Sequence, residues 1–359
     1  MARDEQEVLD AIERRRRRPV RKLLDRHVTL SHGAGGKASH ALVEALFLPE
    51  LRNPLLEPLG DSAVISADGG LRLAFTTDSY VVKPLSFPGG DIGELAVNGT
   101  VNDLAMAGAR PVCLSAAFIV EEGFATEELQ RIVGSMGRAA EAAGVHVGAG
   151  DTKVVERGKA DGLYVNTSGV GVVEGDVELS PALIRPGDRL LVSGTIGDHG
   201  MAIMIARGGL ELEVELESDT APLNGLVEAL LGATEGVRCL RDPTRGGVAT
   251  VLAELALAAE VGIALDERAL PVRPEVNGAC EILGIDPLYV ANEGKLLAIV
   301  APEAADAALV ALRSQPLGRD ARLVGDVRDE PPGLVLLETA FGGSRVVDML
   351  AGDPLPRIC

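Results

Sequence analysis

What most constrains the fold of this chain is that its side-chain period keeps switching between two and about 3.6. β-Branched, apolar runs at LRLAFTTDSYVV (71–82), LSAAFIV (114–120) and LYVNTSGVGVVE (163–174) have strand character. Helix-period segments lie among them: SHALVEALFL (39–48), IGELAVNGTVNDLAMAG (92–108) and ATEELQRIVGSMGRAAEAAG (125–144). Such alternation predicts a layered α/β fold. In IRPGDRLLVSG (184–194) a Pro-Gly-Asp turn opens a new strand. Helices near 199–207, 222–231 and 248–259 follow, with strands near 262–265, 296–300 and 322–327, an α+β order.

A length of 359 residues suits two domains, and 47% hydrophobic residues suffice to fill their cores. The reading divides the chain into a charged leader (1–27), a first domain (28–180), a second, α+β domain (181–345) and a tail (346–359). The leader carries Val8, Leu9 and Ile12 at helical spacing and a run from Arg14 to Arg18, read as a solvated face. Two prolines and no periodicity in the tail predict an extended, mobile segment.

The formal charge of −19 repels phosphate backbones, and 3% aromatic residues without Trp offer no stacking platform, so nucleic acid is excluded as a partner. A bound nucleotide would need cations beside it. No apolar run is long enough to span a membrane, and the N-terminus lacks the apolar core of a signal peptide. Cys113, Cys239, Cys280 and Cys359 are widely spaced, which suits reduced thiols in the cytoplasm better than disulfides or a zinc site.

Four aspartates recur in similar settings: Asp61 (LGDSA), Asp78 (TTDSY), Asp103 (VNDLA, beside Asn102) and Asp151 (AGDTK, two residues before Lys153). Asp61, Asp78 and Asp151 are expected at strand ends or turns, and Asp103 on a helix. Each alone reads as a cap or an Asx-turn. All four in one acidic domain favour metal and nucleotide binding, since converging carboxylates repel unless hard cations sit between them. SHGAGGKAS (31–39) opens a helix with Gly35, Gly36 and Lys37; it is either a phosphate-binding loop or an ordinary glycine turn, and it is not a Walker A sequence. RDPTRGGVAT (241–250) sets Arg245 and two glycines at a helix start, a geometry suited to an anion. His199, in SGTIGDHGM, reads as a capping residue before a ligand. Glu293, in ANEGKL, is either a surface residue or a positioned base. The terminal Cys359 is unhindered downstream, and fourteen extended residues reach up to roughly 45 Å.

HGAGGK, TTDSYVV, PLSFPGGDIG, GDTKVV, SGTIGDHG, RDPTRGGV, NEGK and the final PRIC, in this order, closely resemble the HypE family of hydrogenase maturation proteins. That family belongs with aminoimidazole ribonucleotide synthetase, thiamine monophosphate kinase and selenophosphate synthetase. The likeness runs from about Leu30 to Cys359, and the leader lies outside it. It implies a synthetase-like fold of two α/β domains and a homodimer whose first domains share a β-barrel. It implies ATP with Mg²⁺ in a groove lined by Asp61, Asp78, Asp103 and Asp151 and covered by the 31–37 loop. Gly35, Gly36, Lys37, Asn102 and Arg245 complete the implied nucleotide set. A carbamoyltransferase, HypF, would load Cys359 with a carbamoyl group. ATP-driven loss of water would turn the S-carboxamide into a thiocyanate, and the cyanide would pass to iron on a HypC–HypD complex. Glu293 is the implied base, with Lys153 polarising the oxygen or holding phosphate.

Two rivals bear on this expectation. A selenophosphate synthetase would place a reactive cysteine in the early glycine-rich segment, where this chain has none before Cys113. A non-catalytic carrier that merely presents Cys359 would have no need of four aspartates.

Overall fold

The computed structural model describes residues 25–208, 215–352 and 355–359. All but the last three residues of the expected leader (1–24 of 1–27), including its helical and Arg-run readings, therefore lie outside the described residues.

A five-stranded sheet comprises β1 (Ala63–Ser66), β2 (Arg72–Tyr80), β5 (Ala109–Glu121), β6 (His146–Val155) and β7 (Leu163–Val173); β3 (Ser86–Phe87) and β4 (Gly90–Asp91) form a small separate ribbon. The order is β1-β2-β7-β5-β6, antiparallel except for the parallel β5–β6 pair. A parallel pair needs a crossover, and the helix Thr126–Ala143 supplies it. Along β7 buried and half-buried residues alternate strictly, so one face of the sheet packs on helices. The other face leaves Ile65, Phe75 and Ile119 exposed.

The central helix, Ile92–Met106, is buried on nearly every side. Asp91 caps it, accepting from the N–H groups of Gly93 and Glu94 at 2.8 and 3.0 Å. Its glycines are contact residues: a Cβ at Gly93 would lie 2.3 Å from the Ile132 carbonyl oxygen, and one at Gly99 would lie 2.1 Å from the Tyr80 hydroxyl. Only a bare backbone lets this helix approach β2 so closely.

A seven-stranded mixed sheet runs β14 (Ser344–Val347), β13 (Val335–Glu338), β10 (Gly262–Asp266), β12 (Arg322–Arg328), β8 (Arg189–Val192), β11 (Leu297–Val300) and β9 (Val237–Arg241). The helix Gly247–Ala259 packs with one core on this sheet, and the helices Asn224–Ala233 and Ala305–Arg313 pack with another. Ala105 and Met106, ending the central helix, join the second of these cores, while Met201 to Ile203 join the core of the first sheet. The two sheets are thus bound by shared apolar packing, and a cleft between them is lined from both.

The tail corrects an expectation. β14 extends to Val347, and Leu355 and Ile358 are buried against the first sheet's core. The described end of the chain is docked.

Candidate active site

Three elements converge at the middle of β2. Asp61 stands in the turn before β1, Asp103 on the last turn of the central helix, and Asp242 just after β9. Each offers a carboxylate oxygen, and these oxygens lie within 4.8 Å of one another. The Thr76 hydroxyl is 2.8 Å from both the Asp61 carbonyl and Asp103 Oδ2. One hydroxyl proton cannot serve both acceptors, so the arrangement closes only if Asp103 carries a proton or a cation lies on it. Arg241 Nε is 3.1 Å from Asp61, but the same guanidinium is shared with Glu254 at 3.3 Å.

Charge is therefore undercompensated. Burial, then the charges of Asp242, Asp61 and Asp78, hold the Asp103 carboxyl well above the usual range. Burial and Asp61 push Asp242 up to about 8, against the opposing pull of Arg241. A divalent cation suits this all-oxygen, acid-rich set, because it removes the repulsion that the fold leaves unanswered. Asp78, whose charge acts on both groups, flanks the set.

Beside it lies Glu293, 3% exposed, with Oε1 buried and lacking a hydrogen-bond partner. Burial raises its pKa well above the carboxylate range, reinforced by Asp242, Asp78 and Asp219 and opposed by Arg245. A buried, unpartnered carboxyl of this kind is poised to exchange a proton with whatever enters.

The chain terminus borders the same region. The Val81 N–H donates to a carboxylate oxygen of the terminal Cys359 at 3.1 Å, and the Lys83 N–H to the Arg357 carbonyl at 3.2 Å. His199 is fully buried, with Nε2 2.6 Å from the Ile358 carbonyl and Nδ1 2.7 Å from the Ser218 hydroxyl. A carbonyl can only accept, so Nε2 carries the proton and Nδ1 accepts from Ser218. Burial lowers the His199 pKa and favours this neutral form. Arg357 turns the tail inward with a left-handed φ of +58°, held by Asp161 and by its own bond to the Val81 carbonyl at 3.1 Å. Cys359 ends in a cleft of about 160 Å³ walled by Gly33, Ala34, Tyr289 and Arg245. Arg245 shares this cleft and donates from Nη1 to the Gly33 carbonyl at 3.1 Å; the charge of Cys359, followed by those of Asp78, Glu293 and Tyr80, raises its pKa.

Several sequence expectations sit elsewhere. Asp151 occupies the middle of β6 and not a turn; in register it stands three strands from Ser79, about 14 Å at ordinary strand spacing. It is exposed and paired with Lys153 at 2.7 Å, so neither residue reaches the acidic pocket of its own chain. Asn102 is buried, and both of its amide hydrogens go to the Ala221 and Glu293 carbonyls while Oδ1 accepts from the Leu223 N–H, so it braces the backbone beside the site. The 31–37 loop crosses the tail: a Cβ on Gly36 would lie 2.2 Å from the Leu350 carbonyl, and one on Gly35 2.6 Å from Arg245 Cβ. Lys37 gives its N–H to Leu350 and pairs with Asp348 at 2.5 Å. His199 is a buried clamp on the tail rather than a cap. Asp242 and Asp219 escaped the sequence reading; an aspartate before proline at a strand end was the available signal for the first.

Two family models match the chain: the N-terminal domain of AIR synthase related proteins over residues 59–173 and the C-terminal domain over 185–336. The carbamoyl dehydratase HypE of Cupriavidus necator is 53% identical over 332 residues, covering 92% of this chain and 95% of that protein. A crystal structure of a HypE–HypF complex matches with a TM-score of 0.82 and 49% identity, over 86% of this chain and 100% of the other. One of HypE in complex with ATP matches with a TM-score of 0.78 and 48% identity, over 93% and 100%.

Proposed function

The chain belongs to the AIR synthase related family, in its branch of HypE carbamoyl dehydratases, and on that premise we propose that it uses ATP to dehydrate an S-carboxamide on its own Cys359 to a thiocyanate, the source of the cyanide on the iron of NiFe hydrogenases. One observation carries this reading: the last residue is led by backbone bonds into a cleft walled by Arg245, the guanidinium on which the charges of Cys359, Asp78 and the unpartnered Glu293 all act.

The chemistry explains the residues. An amide oxygen leaves poorly, so it first attacks the γ-phosphorus of ATP, ADP departs and the nitrogen gives up one proton. Glu293 then removes the remaining N–H proton, the C–O bond breaks, and phosphate leaves behind an S–C≡N group. Arg245, at a helix start, suits the anion that must be held. Mg²⁺ held by Asp61, Asp103 and Asp242, with Asp78 beside them, would neutralise phosphate charge. Enclosure by the docked tail limits hydrolysis of the activated oxygen.

We assign residues 28–180 and 181–345 to the two domains. A homodimer pairing the exposed apolar faces of two five-stranded sheets would close a shared barrel and carry Asp151 and Lys153 of one copy toward the acidic pocket of the other. HypF is the fitting source of the carbamoyl group, and a HypC–HypD complex the recipient of cyanide, in the cytoplasm. No described helix is long and apolar enough to cross a membrane.

Mass spectrometry of the C-terminal peptide tests the reading. After carbamoyl loading, ATP should remove the mass of one water, and Cys359→Ala should never be loaded. A loaded peptide that keeps its full mass while ATP is consumed refutes it.

A further inference from the structure

We propose that Asp219 is a positioning residue for Glu293, and that the Ser218–Asp219 step ties this base to the docked tail. The proposal rests on the roles of Glu293 and Cys359 given above.

The Glu293 side chain cannot be placed by its own bonds, because Oε1 has no partner. Its peptide is clamped instead. Asp219 Oδ1 accepts the Glu293 N–H at 3.0 Å, and Asn102 Nδ2 donates to the Glu293 carbonyl at 3.2 Å. Asp219 is itself fixed: it is buried, and Oδ2 lies 3.0 Å from Lys295 Nζ, two residues beyond the base. The segment around Asp219 lies flat on this stretch, since a Cβ at Gly294 would fall 1.7 Å from the Asp219 carbonyl oxygen. No other residue at 294 allows that approach.

One residue earlier, the chain faces the tail. The Ser218 hydroxyl donates to His199 Nδ1 at 2.7 Å, and His199 passes its Nε2 proton toward the Ile358 carbonyl at 2.6 Å. Ser218 is anchored by its N–H on the Pro88 carbonyl at 2.8 Å, and Thr220 receives Asn98 Nδ2 at 3.1 Å. Tail, imidazole, hydroxyl, carboxylate and base thus form one continuous path crossing a single peptide bond between Ser218 and Asp219. The charged and titratable groups around Glu293 are Asp78 and Tyr80 from β2, Asp242 and Arg245 from the loop after β9, and Asp219. Asp219 stands apart among them, because Lys295 offsets its charge while its oxygen holds the base's backbone.

The test uses single-turnover dehydration of the carbamoylated full chain with ATP, in variants that remove both charges together so that neither remains buried alone. Asp219→Asn with Lys295→Met keeps the oxygen acceptor and should react within about threefold of the parent. Asp219→Ala with Lys295→Met should be about 10–100-fold slower at an unchanged Kd for ATP, the loss expected when a reacting group is misplaced. Equal loss in both pairs, or no loss in the Ala pair while Glu293→Gln is inactive, overturns the positioning role. Glu293→Gln reacting at the parental rate overturns the base assignment and this proposal with it, a separate result. For the link to the tail, Ser218→Ala should speed alkylation of Cys359 several-fold and Ser218→Thr should restore the parental rate. An unchanged rate in Ser218→Ala overturns that link.

Discussion

Replacing Ile358 with Ala probes the docked tail while leaving every residue of both sheets in place. Ile358 is 5% exposed and packs into the core of the first sheet, so truncation removes apolar contact at a site held by only a few backbone bonds. Buried Ile→Ala changes cost about 2–5 kcal/mol, and a terminal segment that can shift should fall at the low end. About 2 kcal/mol corresponds to roughly a 30-fold rise in the undocked population. Alkylation reports it directly: Cys359 is half-buried when docked, while Cys113 is exposed on β5 and serves as an internal control. Peptide mapping after brief iodoacetamide treatment should show Cys359 reacting on the order of tenfold or more faster, with Cys113 unchanged. The thermal transition of the whole chain should scarcely move, because the residue lies one position from the end. Equal Cys359 reactivity in parent and variant would refute the docking argument.

Other outcomes follow from the buried acids. Asp103, Asp242 and Glu293 have folded-state pKa values above their unfolded values, so the folded chain binds more protons. Their protonation therefore favours folding at low pH, and stability should decline as pH rises from about 4 toward the Asp242 value near 8. In EDTA the Tm should fall between pH 5.5 and 8, and Mg²⁺ should restore more at pH 8; a flat profile contradicts the cluster. Asn102→Ala strands three backbone groups and should cost roughly 3 kcal/mol by chemical denaturation, with the Kd for ATP unchanged in the folded protein. Gly36→Ala should cost about 1–3 kcal/mol, because the new methyl meets the rigid Leu350 carbonyl.

Much of the architecture was legible because period alone separates strand from helix over long segments. The runs read at 71–82, 92–108, 125–144 and 163–174 became β2, the central helix, the crossover helix and β7 within a few residues. Among the short elements, β8, β10 and β11 were legible as largely apolar runs, whereas β1, β13 and β14, four residues each and partly exposed, have too few residues to establish a period. Asp151 was misplaced because GAGDTKVV reads as a glycine turn, whereas sheet pairing with β5 extends it. Asp61, Asp78 and Asp103 were singled out by local motif, and the fold brings Asp61 and Asp103 together with Asp242, which was overlooked because its partners are distant in sequence. Asp219 had no motif at all; its significance comes from contacts with Glu293 and Lys295 that only the folded chain creates. The tail looked unpacked since two prolines and a lack of period say nothing about docking against a surface built elsewhere.

Infrared spectroscopy on the isolated protein, carbamoylated at Cys359 with a ¹³C-labelled group and then given Mg²⁺ and ATP, would follow the reacting bond itself. A nitrile band that shifts with the label and is absent from Glu293→Gln is the predicted result. Turnover of ATP with the labelled carbonyl band intact would contradict the claim that this chain's own terminal thiol carries its substrate.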